Sequence, residues 1–158
     1  MLKLKNEYDI HKIIKTHPYL LGPELESLNI KHEKIYSDRT RSDFVFSNEH
    51  QSIVVEVKIG YLDTDTIEQA VHYLHMERKE NPDKILIGIF IGYAIKDNIK
   101  FNLKLKQYNY PFKIKYLDVD IPTKIKICDF CRKANKLSTL KCKFCGSLKF
   151  VFDPFLFS

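Results

Sequence analysis

The chain has 158 residues, of which 44% are apolar, and it carries a formal net charge of +6. This length fits one ordinary domain with a small appendage, and the apolar fraction is sufficient for a packed core. No apolar run approaches the length of a membrane span, and the N-terminus lacks the apolar stretch of a secretion signal. The composition therefore excludes membrane proteins and predicts no membrane partner.

The N-terminal segment predicts an amphipathic helix. Asn6 is a typical N-cap residue, and Glu7 and Asp9 place acidic side chains in the first turn, where the helix dipole favours them. His17-Pro18 should end the helix. Its single apolar stripe consists of Ile10, Ile13 and Ile14.

The next segment predicts strands. Residues 31–37 indicate a first strand, although the alternation there is weak. Two runs rich in Val, Ile and Phe, at 41–47 and 51–59, flank a polar tip at 47–50. This arrangement is typical of a β-hairpin.

A second helix is predicted after Gly60. Asp63, Thr64 or Asp65 can cap it, and it should continue to about Arg78. Asn81-Pro82 should end this helix. Its apolar stripe consists of Ile67, Ala70, Val71 and Leu74.

The remaining elements complete an α/β pattern. Residues 84–91 form a continuous apolar run that predicts a strand covered on both faces. Residues 99–108 fit a strand and a helix equally, and 113–119 predict another strand. This order predicts a mixed central sheet, with a domain boundary near Pro122 that separates residues 1–122 from residues 123–158.

The hairpin carries an unusual set of charges. Side chains alternate across a strand, so Glu56 and Lys58 point to the face opposite the apolar Val55. Buried charges are unfavourable unless they are paired or bound to a metal. Asp43 on the partner strand adds a second carboxylate, and two carboxylates beside an amine are what a divalent cation and a reacting phosphate require.

The motifs resemble the PD-(D/E)xK nuclease superfamily, in its RecB-like branch. Five motifs, in order, are similar to the catalytic domain of NucS-type (EndoMS) DNA endonucleases: Glu7-x-x-Ile, His17-Pro-Tyr-Leu-Leu, Arg41-x-Asp43, Val54-Val-Glu56-Val-Lys58 and Ile67-Glu-Gln69-x-x-x-Tyr73. The resemblance covers roughly residues 5–118. It implies a restriction-endonuclease-like mixed sheet flanked by helices.

The resemblance also implies roles for individual residues. Asp43, Glu56 and the carbonyl of Val57 would bind Mg²⁺ or Mn²⁺, and Lys58 would orient the attacking water or stabilise the phosphate. The supporting catalytic residues would be Glu7, Gln69 and Tyr73, and Arg41 would contact the DNA backbone. NucS-type enzymes usually carry a separate N-terminal DNA-binding and dimerisation domain, so their substrate preference and dimer mode are not transferred.

The C-terminal segment predicts a small zinc ribbon. Two C-x-x-C motifs supply four thiolates, and Gly146 allows the tight turn that such knuckles favour; the ligands are Cys128, Cys131, Cys142 and Cys145. An iron–sulfur cluster is the alternative. With no cysteine before residue 128, this pattern suits a reducing cytoplasm and predicts an intracellular protein.

The distribution of charge suggests that the same segment binds nucleic acid; the alternative is that its lysines only keep the surface soluble. Residues 1–123 hold 18 basic and 18 acidic side chains, whereas residues 124–158 hold 8 basic and 2 acidic ones. Lys133, Lys141 and Lys143 are accordingly predicted to bind DNA phosphates.

The sequence thus predicts a Mg²⁺- or Mn²⁺-dependent DNA endonuclease that acts on single-stranded, branched or mismatched DNA in repair or recombination. A Holliday-junction-resolving nuclease and a non-catalytic nucleic-acid-binding protein are the alternatives. DNA is the predicted partner, and duplex-cutting members of the superfamily commonly act as homodimers.

Overall fold

The computed structural model describes residues 6–121 and 125–151, which form two compact units. One unit spans residues 27–116, and the other joins the N-terminal segment up to Glu26 to the segment that begins at Leu117. None of the helices within the described ranges has the length and apolarity needed to cross a membrane.

The elements follow one another in this order: α1 (Glu7–Thr16), 3-10 helices at Pro18–Leu20 and Pro23–Ser27, β1 (Asn29–Ile35), β2 (Arg41–Ser47), β3 (Gln51–Val57), β4 (Tyr61–Leu62), α2 (Thr64–Glu80), β5 (Ile85–Gly92), β6 (Ala94–Ile95), α3 (Asn98–Leu105), β7 (Phe112–Tyr116), β8 (Ile125–Cys128), β9 (Ala134–Lys136) and β10 (Phe150–Val151).

A mixed five-stranded sheet forms the centre of the unit that spans residues 27–116, in the strand order β1-β2-β3-β5-β7. Strands β1, β2 and β3 pair antiparallel, and β3, β5 and β7 pair parallel. The parallel pairs are connected through α2 and α3, as parallel strands require a crossover. The predicted α/β fold class with a mixed sheet is confirmed.

Helix α2 packs its predicted apolar stripe on this sheet. Asp63 caps it by accepting a 3.1 Å hydrogen bond from the backbone N–H of Thr66, and Asn81 ends it. The stripe residues are buried in two clusters with side chains of β2, β3 and β5; the members from the sheet are Val45, Val54, Leu86 and Phe90. The helix therefore covers the sheet face to which Val45 and Val54 point.

The ambiguous segment 99–108 begins as helix α3. Asp97 accepts a 3.1 Å hydrogen bond from the backbone N–H of Lys100, which caps the helix. Phe101 is buried edge-on against Phe90, at 5.8 Å between ring centroids, whereas Ile99 is exposed. The helical interpretation of this segment is the correct one.

The second unit combines α1 with the cysteine segment. Asn6 and Asp9 form the predicted N-terminal cap of α1. Ile13 lies in one buried cluster with β8 and β9 residues Ile125, Ile127 and Ala134, and the Tyr19 hydroxyl accepts a hydrogen bond from the Ala134 backbone N–H. Residues that the sequence assigns to different domains thus share a core. The division at residues 122–123 stays a prediction, and Pro122 lies outside the described residues.

Candidate active site and metal centre

Asp43 and Glu56 lie side by side at one end of the β2–β3 hairpin. The register pairs Phe44 with Val55, and its continuation places Asp43 opposite Glu56. Asp43 Oδ2 accepts a 2.7 Å hydrogen bond from the backbone N–H of Val57, and Glu56 Oε1 lies 3.4 Å from the backbone N of Asp43. Each carboxylate is therefore held by the backbone of the opposite strand.

Both carboxylates point to the face that α2 covers. Side chains two residues apart on a strand share a face, so Asp43 lies on the side of Val45 and Glu56 on the side of Val54. The Glu56 side chain is buried, with 4% of its surface exposed. Burial raises the pKa of Glu56 to about 9, and the neighbouring charge of Asp43 adds to this rise.

Lys58 follows directly after β3. Its backbone N–H continues the parallel pairing by donating a 2.8 Å hydrogen bond to the Ile91 carbonyl. Its positive charge opposes the rise in the pKa of Glu56 that burial causes. Burial raises the pKa of Asp63, but hydrogen bonds from Thr66 outweigh this effect and lower the pKa below its ordinary value. The positive charge of Lys58 lowers it further. Lys58 thus favours the ionised form of both Glu56 and Asp63, the N-cap residue of α2.

Tyr73 brings a phenol from α2 to the same region. Its half-buried ring packs beside Val45 and Val54. Burial raises the pKa of Tyr73 to about 12, and the charges of Glu56 and Asp43 contribute. The phenol is therefore neutral at cellular pH and can donate a hydrogen bond. Gln69, one turn earlier, is exposed, and its role stays a prediction.

Tyr36 was not predicted from the sequence to belong to the site. Its buried ring stacks on Tyr73 with 5.7 Å between centroids and an interplanar angle of 12°. Its hydroxyl lies 3.4 Å from the hydroxyl of Ser42, the residue that precedes Asp43 in the sequence. A strand-end tyrosine has no local sequence signal for this role, because its partner lies 37 positions away on a helix.

A histidine network lies next to this stack. His72 Nε2 is 2.6 Å from Asp38 Oδ2 and 3.2 Å from the Thr40 hydroxyl, and the His72 ring meets Tyr73 edge-on at 5.7 Å. The contact with Asp38 arises because the β1–β2 turn approaches α2.

Arg41 and Glu7 complete the set of site residues predicted from the sequence. Arg41 begins β2, is exposed and lies 3.8 Å from Glu33 in an ion pair. Glu7 is the first residue of α1, in the unit that contains the N-terminal segment. The predicted roles of both residues stay predictions.

The four cysteines form a compact cluster that fits a single metal ion. The γ-sulfurs of Cys128 and Cys145 lie 3.5 Å apart, as do those of Cys131 and Cys142. All four lie within 4.8 Å of one another. A tetrahedral ion with metal–sulfur bonds of about 2.3 Å requires sulfurs roughly 3.8 Å apart. The spacing of the sulfurs therefore fits a zinc ribbon.

The tight turns have the same conformation in both C-x-x-C motifs. Gly146 follows Cys145 with a φ of 77°, as its sequence position predicts, and Arg132 follows Cys131 with a φ of 63°. Asn135 is buried and links the two turns: its Nδ2 donates to Lys133 O at 3.0 Å and to Cys142 Sγ at 3.4 Å. Its Oδ1 accepts from the Lys143 backbone N–H at 3.0 Å.

The predicted DNA-binding lysines lie on this module. Lys141 and Lys143 are exposed on both sides of Cys142, and Lys133 is half-buried. The Lys133 ammonium lies 4.9 Å from the Phe144 ring, and that of Lys143 lies 5.3 Å from the same ring. Their binding of DNA stays a prediction.

Two solved structures share this fold. The crystal structure of a repair endonuclease from Pyrococcus abyssi has a TM-score of 0.57 and 15% sequence identity over 72% of this chain and 47% of its own. The structure of an EndoMS–dsDNA2 complex has a TM-score of 0.57 and 18% identity over 73% of this chain and 47% of its own. No family model and no curated protein matches the sequence.

The comparisons agree with the description of the fold. The chain has a NucS-like nuclease fold with a central mixed sheet, and it carries a four-cysteine cluster that fits a zinc ribbon. It spans about half the length of the endonucleases that it matches.

Proposed function

We propose that this protein is a metal-dependent DNA endonuclease of the NucS-like kind that acts in DNA repair or recombination on single-stranded, branched or mismatched DNA. The observation that carries the proposal is the pairing of Asp43 with the buried Glu56 beside Lys58. The fold similarity to a repair endonuclease and to the protein of an EndoMS–dsDNA2 complex supports the same class of activity.

The donor set fits a divalent cation. Two carboxylates held side by side repel each other when both are ionised. Burial and, to a lesser extent, this repulsion raise the pKa of Glu56. Asp43, Glu56 and the Val57 carbonyl would hold Mg²⁺ or Mn²⁺, which prefer oxygen ligands. When bound, such an ion lowers the pKa of water and neutralises charge on a phosphodiester.

The protein's own groups would act around that ion. Lys58 would donate to the phosphate as negative charge develops on its oxygens, an effect worth a few kcal/mol when the donor is held in place. Tyr73 would donate a hydrogen bond from its neutral hydroxyl to a phosphate oxygen, since its pKa of about 12 excludes a role as a base at neutral pH. Tyr36 would hold the Tyr73 ring in place by stacking on it.

For the cysteine module we propose one structural zinc ion per chain. Sulfurs within 4.8 Å of one another favour a single ion, because a cluster of several iron atoms would separate its ligands further. Backbone N–H groups of Cys145 and Phe144 lower the pKa of Cys142 to about 6 against the effect of burial, whereas burial raises the pKa of Cys131 to about 12. Four thiolates side by side therefore need a bound cation to compensate their charge. Elemental analysis that found iron and a brown colour would contradict this assignment.

The test is a cleavage assay on labelled single-stranded, branched and mismatched DNA, with and without added Mn²⁺ or Mg²⁺. Asp43→Asn and Glu56→Gln should each abolish metal-dependent cleavage while preserving the fold by circular dichroism. Glu49→Gln is the matched control, because Glu49 is an exposed acid at the tip of the same hairpin and should cut as the wild type does.

Cleavage by either site variant at the wild-type rate would refute the site. Binding of every DNA without cleavage would instead favour a non-catalytic binding protein on a nuclease scaffold. Symmetric paired nicks in a four-way junction would favour the Holliday-junction-resolving alternative. Light scattering of the same samples would test the predicted homodimer.

A further inference from the structure

The two C-x-x-C motifs carry a phenylalanine at the same position, but the structure treats the two rings differently. Phe144 meets Tyr19 edge-on, with 5.7 Å between ring centroids. Phe130 is 81% exposed. Most of a large apolar ring is therefore in contact with water on a small module, at a position that the other motif uses for packing.

The module that carries these rings is strongly basic, and two of its lysines lie beside Phe144. Residues 125–151 contain seven Lys and Arg against one acid, Asp129, which lies 3.5 Å from Arg132 in an ion pair. Four thiolates with one divalent ion would subtract two charges, so the segment would keep a net charge of +4. Lys133 and Lys143 both lie next to the Phe144 ring, at 4.9 Å and 5.3 Å from its centroid.

An exposed aromatic ring on a strongly basic module has the chemistry of a single-strand binding surface. Every base has an aromatic face on which a phenylalanine can stack without regard to sequence, and the lysines complement the phosphates. A duplex hides its base faces in the stack, so the same surface would contact a duplex through phosphates alone. A surface that bound phosphates only would have no use for Phe130.

We propose that the knuckle surface, defined by Phe130, Lys133, Lys143 and Phe144, binds single-stranded nucleic acid, with Phe130 stacking on an unpaired base. This inference rests on the proposed function for the choice of DNA as the ligand. It narrows the proposed substrates to DNA that exposes unpaired bases. The charge of the surface argues for this occupant over an apolar protein partner.

The experiment measures binding of a fluorescent oligothymidylate of about 15 nucleotides, and of a duplex of the same length, by anisotropy. No Mg²⁺, Mn²⁺ or chelator is added, so neither cleavage nor loss of the cysteine-bound metal affects the result. Phe130→Ala should weaken binding of the oligothymidylate about 10-fold and leave duplex binding unchanged. Phe130→Tyr, which keeps the ring, should bind as the wild type does.

Leu140→Ala is the matched control, since Leu140 is 85% exposed in the same module but has no aromatic face. It should not change binding of either DNA. Lys133→Gln and Lys143→Gln should weaken binding of both DNAs and reduce the salt dependence by roughly one counterion each. Metal content and circular dichroism establish that each variant retains a folded module.

The proposal is overturned if Phe130→Ala binds oligothymidylate as the wild type does, or if it weakens single-strand and duplex binding equally. It is also overturned if the variant changes only the oligomeric state in light scattering, because Phe130 would then lie in an interface between copies. Single-strand binding through Phe130 in a protein that cuts no DNA would refute the nuclease proposal and support this one.

Discussion

The backbone N–H of Val57 donates a 2.7 Å hydrogen bond to the carboxylate of Asp43 on the opposite strand. This bond fixes the Asp43 carboxylate beside Glu56. Val57 therefore orients one proposed metal ligand through its N–H, and its own carbonyl is another proposed ligand. The hairpin backbone therefore orients the carboxylate pair before any cation binds. Such preorganisation favours a defined site over a pair of mobile surface acids.

Affinity for Mn²⁺ should increase with pH. The pKa of Glu56 is about 9 without metal, so at lower pH its proton must leave before the carboxylate can bind a cation. Between pH 6.5 and 8.5 we expect the Kd to fall by up to about tenfold per pH unit, with release of about one proton. Isothermal titration calorimetry in buffers of different ionisation enthalpy measures both quantities; a pH-independent Kd would contradict the assigned pKa.

Glu56→Gln should be more stable than the metal-free wild type above about pH 4.5. A folded pKa of about 9, against an ordinary value of 4.5, means that the folded state holds a proton that the unfolded state has lost. The contribution of Glu56 to the free energy of unfolding is then complete below pH 4.5. It decreases as the pH rises towards 9, by up to about 1.4 kcal/mol per pH unit. Glu56→Gln should lack this decrease.

Urea unfolding followed by circular dichroism between pH 6 and 8, without added divalent metal, measures the difference. The sequence contains no tryptophan, so fluorescence is the weaker probe. Glu49→Gln is the control, and it should follow the wild-type pH dependence. Identical slopes for the wild type and Glu56→Gln would show that Glu56 is ionised in the folded protein.

Tyr73 should contribute through its hydroxyl group rather than through its ring alone. Tyr73→Phe keeps the stack on Tyr36 and removes the donor, so kcat should fall about 10-fold with little change in stability. Tyr36→Phe is the matched control, because its hydroxyl lies 3.4 Å from Ser42 and its stacked ring is retained. Cleavage rates and urea unfolding separate the two effects; an unchanged kcat in Tyr73→Phe would remove Tyr73 from the catalytic set.

The parts of the fold that were predicted correctly have signals within one element. Glu56 and Asp43 lie on a hairpin whose tip and alternation are visible in the sequence. Helix α2 has both its cap, Asp63, and its apolar stripe within 12 residues, from Asp63 to Leu74. Short-range patterns of this kind depend on strand and helix periodicity alone.

The parts that were missed depend on contacts between distant residues. For residues 99–108 both periods fit, and burial of Phe101 against Phe90 favours the helix. Tyr36 joins the site only because β1 ends near α2. The packing of Ile13 with the cysteine segment likewise has no signal in either stretch of sequence. Such pairings follow from topology, which local patterns do not encode.

Lys34 should be important for stability, since it neutralises a buried acid. Its ammonium contacts Glu77, of which 1% is exposed, and lies 2.7 Å from Glu80. Lys34→Ala would leave Glu77 buried without its cation, and we expect the free energy of unfolding to fall by about 3 kcal/mol. Glu80→Ala is the control, because Glu80 is well exposed and its loss should cost less than about 1 kcal/mol. Equal effects of the two variants in urea unfolding would contradict this account.

Asn135 should determine how tightly the cysteines hold their metal. Its amide donates to the Cys142 sulfur and binds the backbones of Lys133 and Lys143, so one side chain orients both knuckles. Loss of such a supporting group typically lowers metal affinity 10- to 100-fold. We therefore expect Asn135→Ala to release the proposed zinc ion to a chromogenic chelator at correspondingly lower chelator concentrations. Lys136→Ala, at the next and exposed position of β9, should retain zinc as the wild type does. If Asn135→Ala also retained it, the four thiolates alone would account for the affinity, and the amide would serve only to join the two turns.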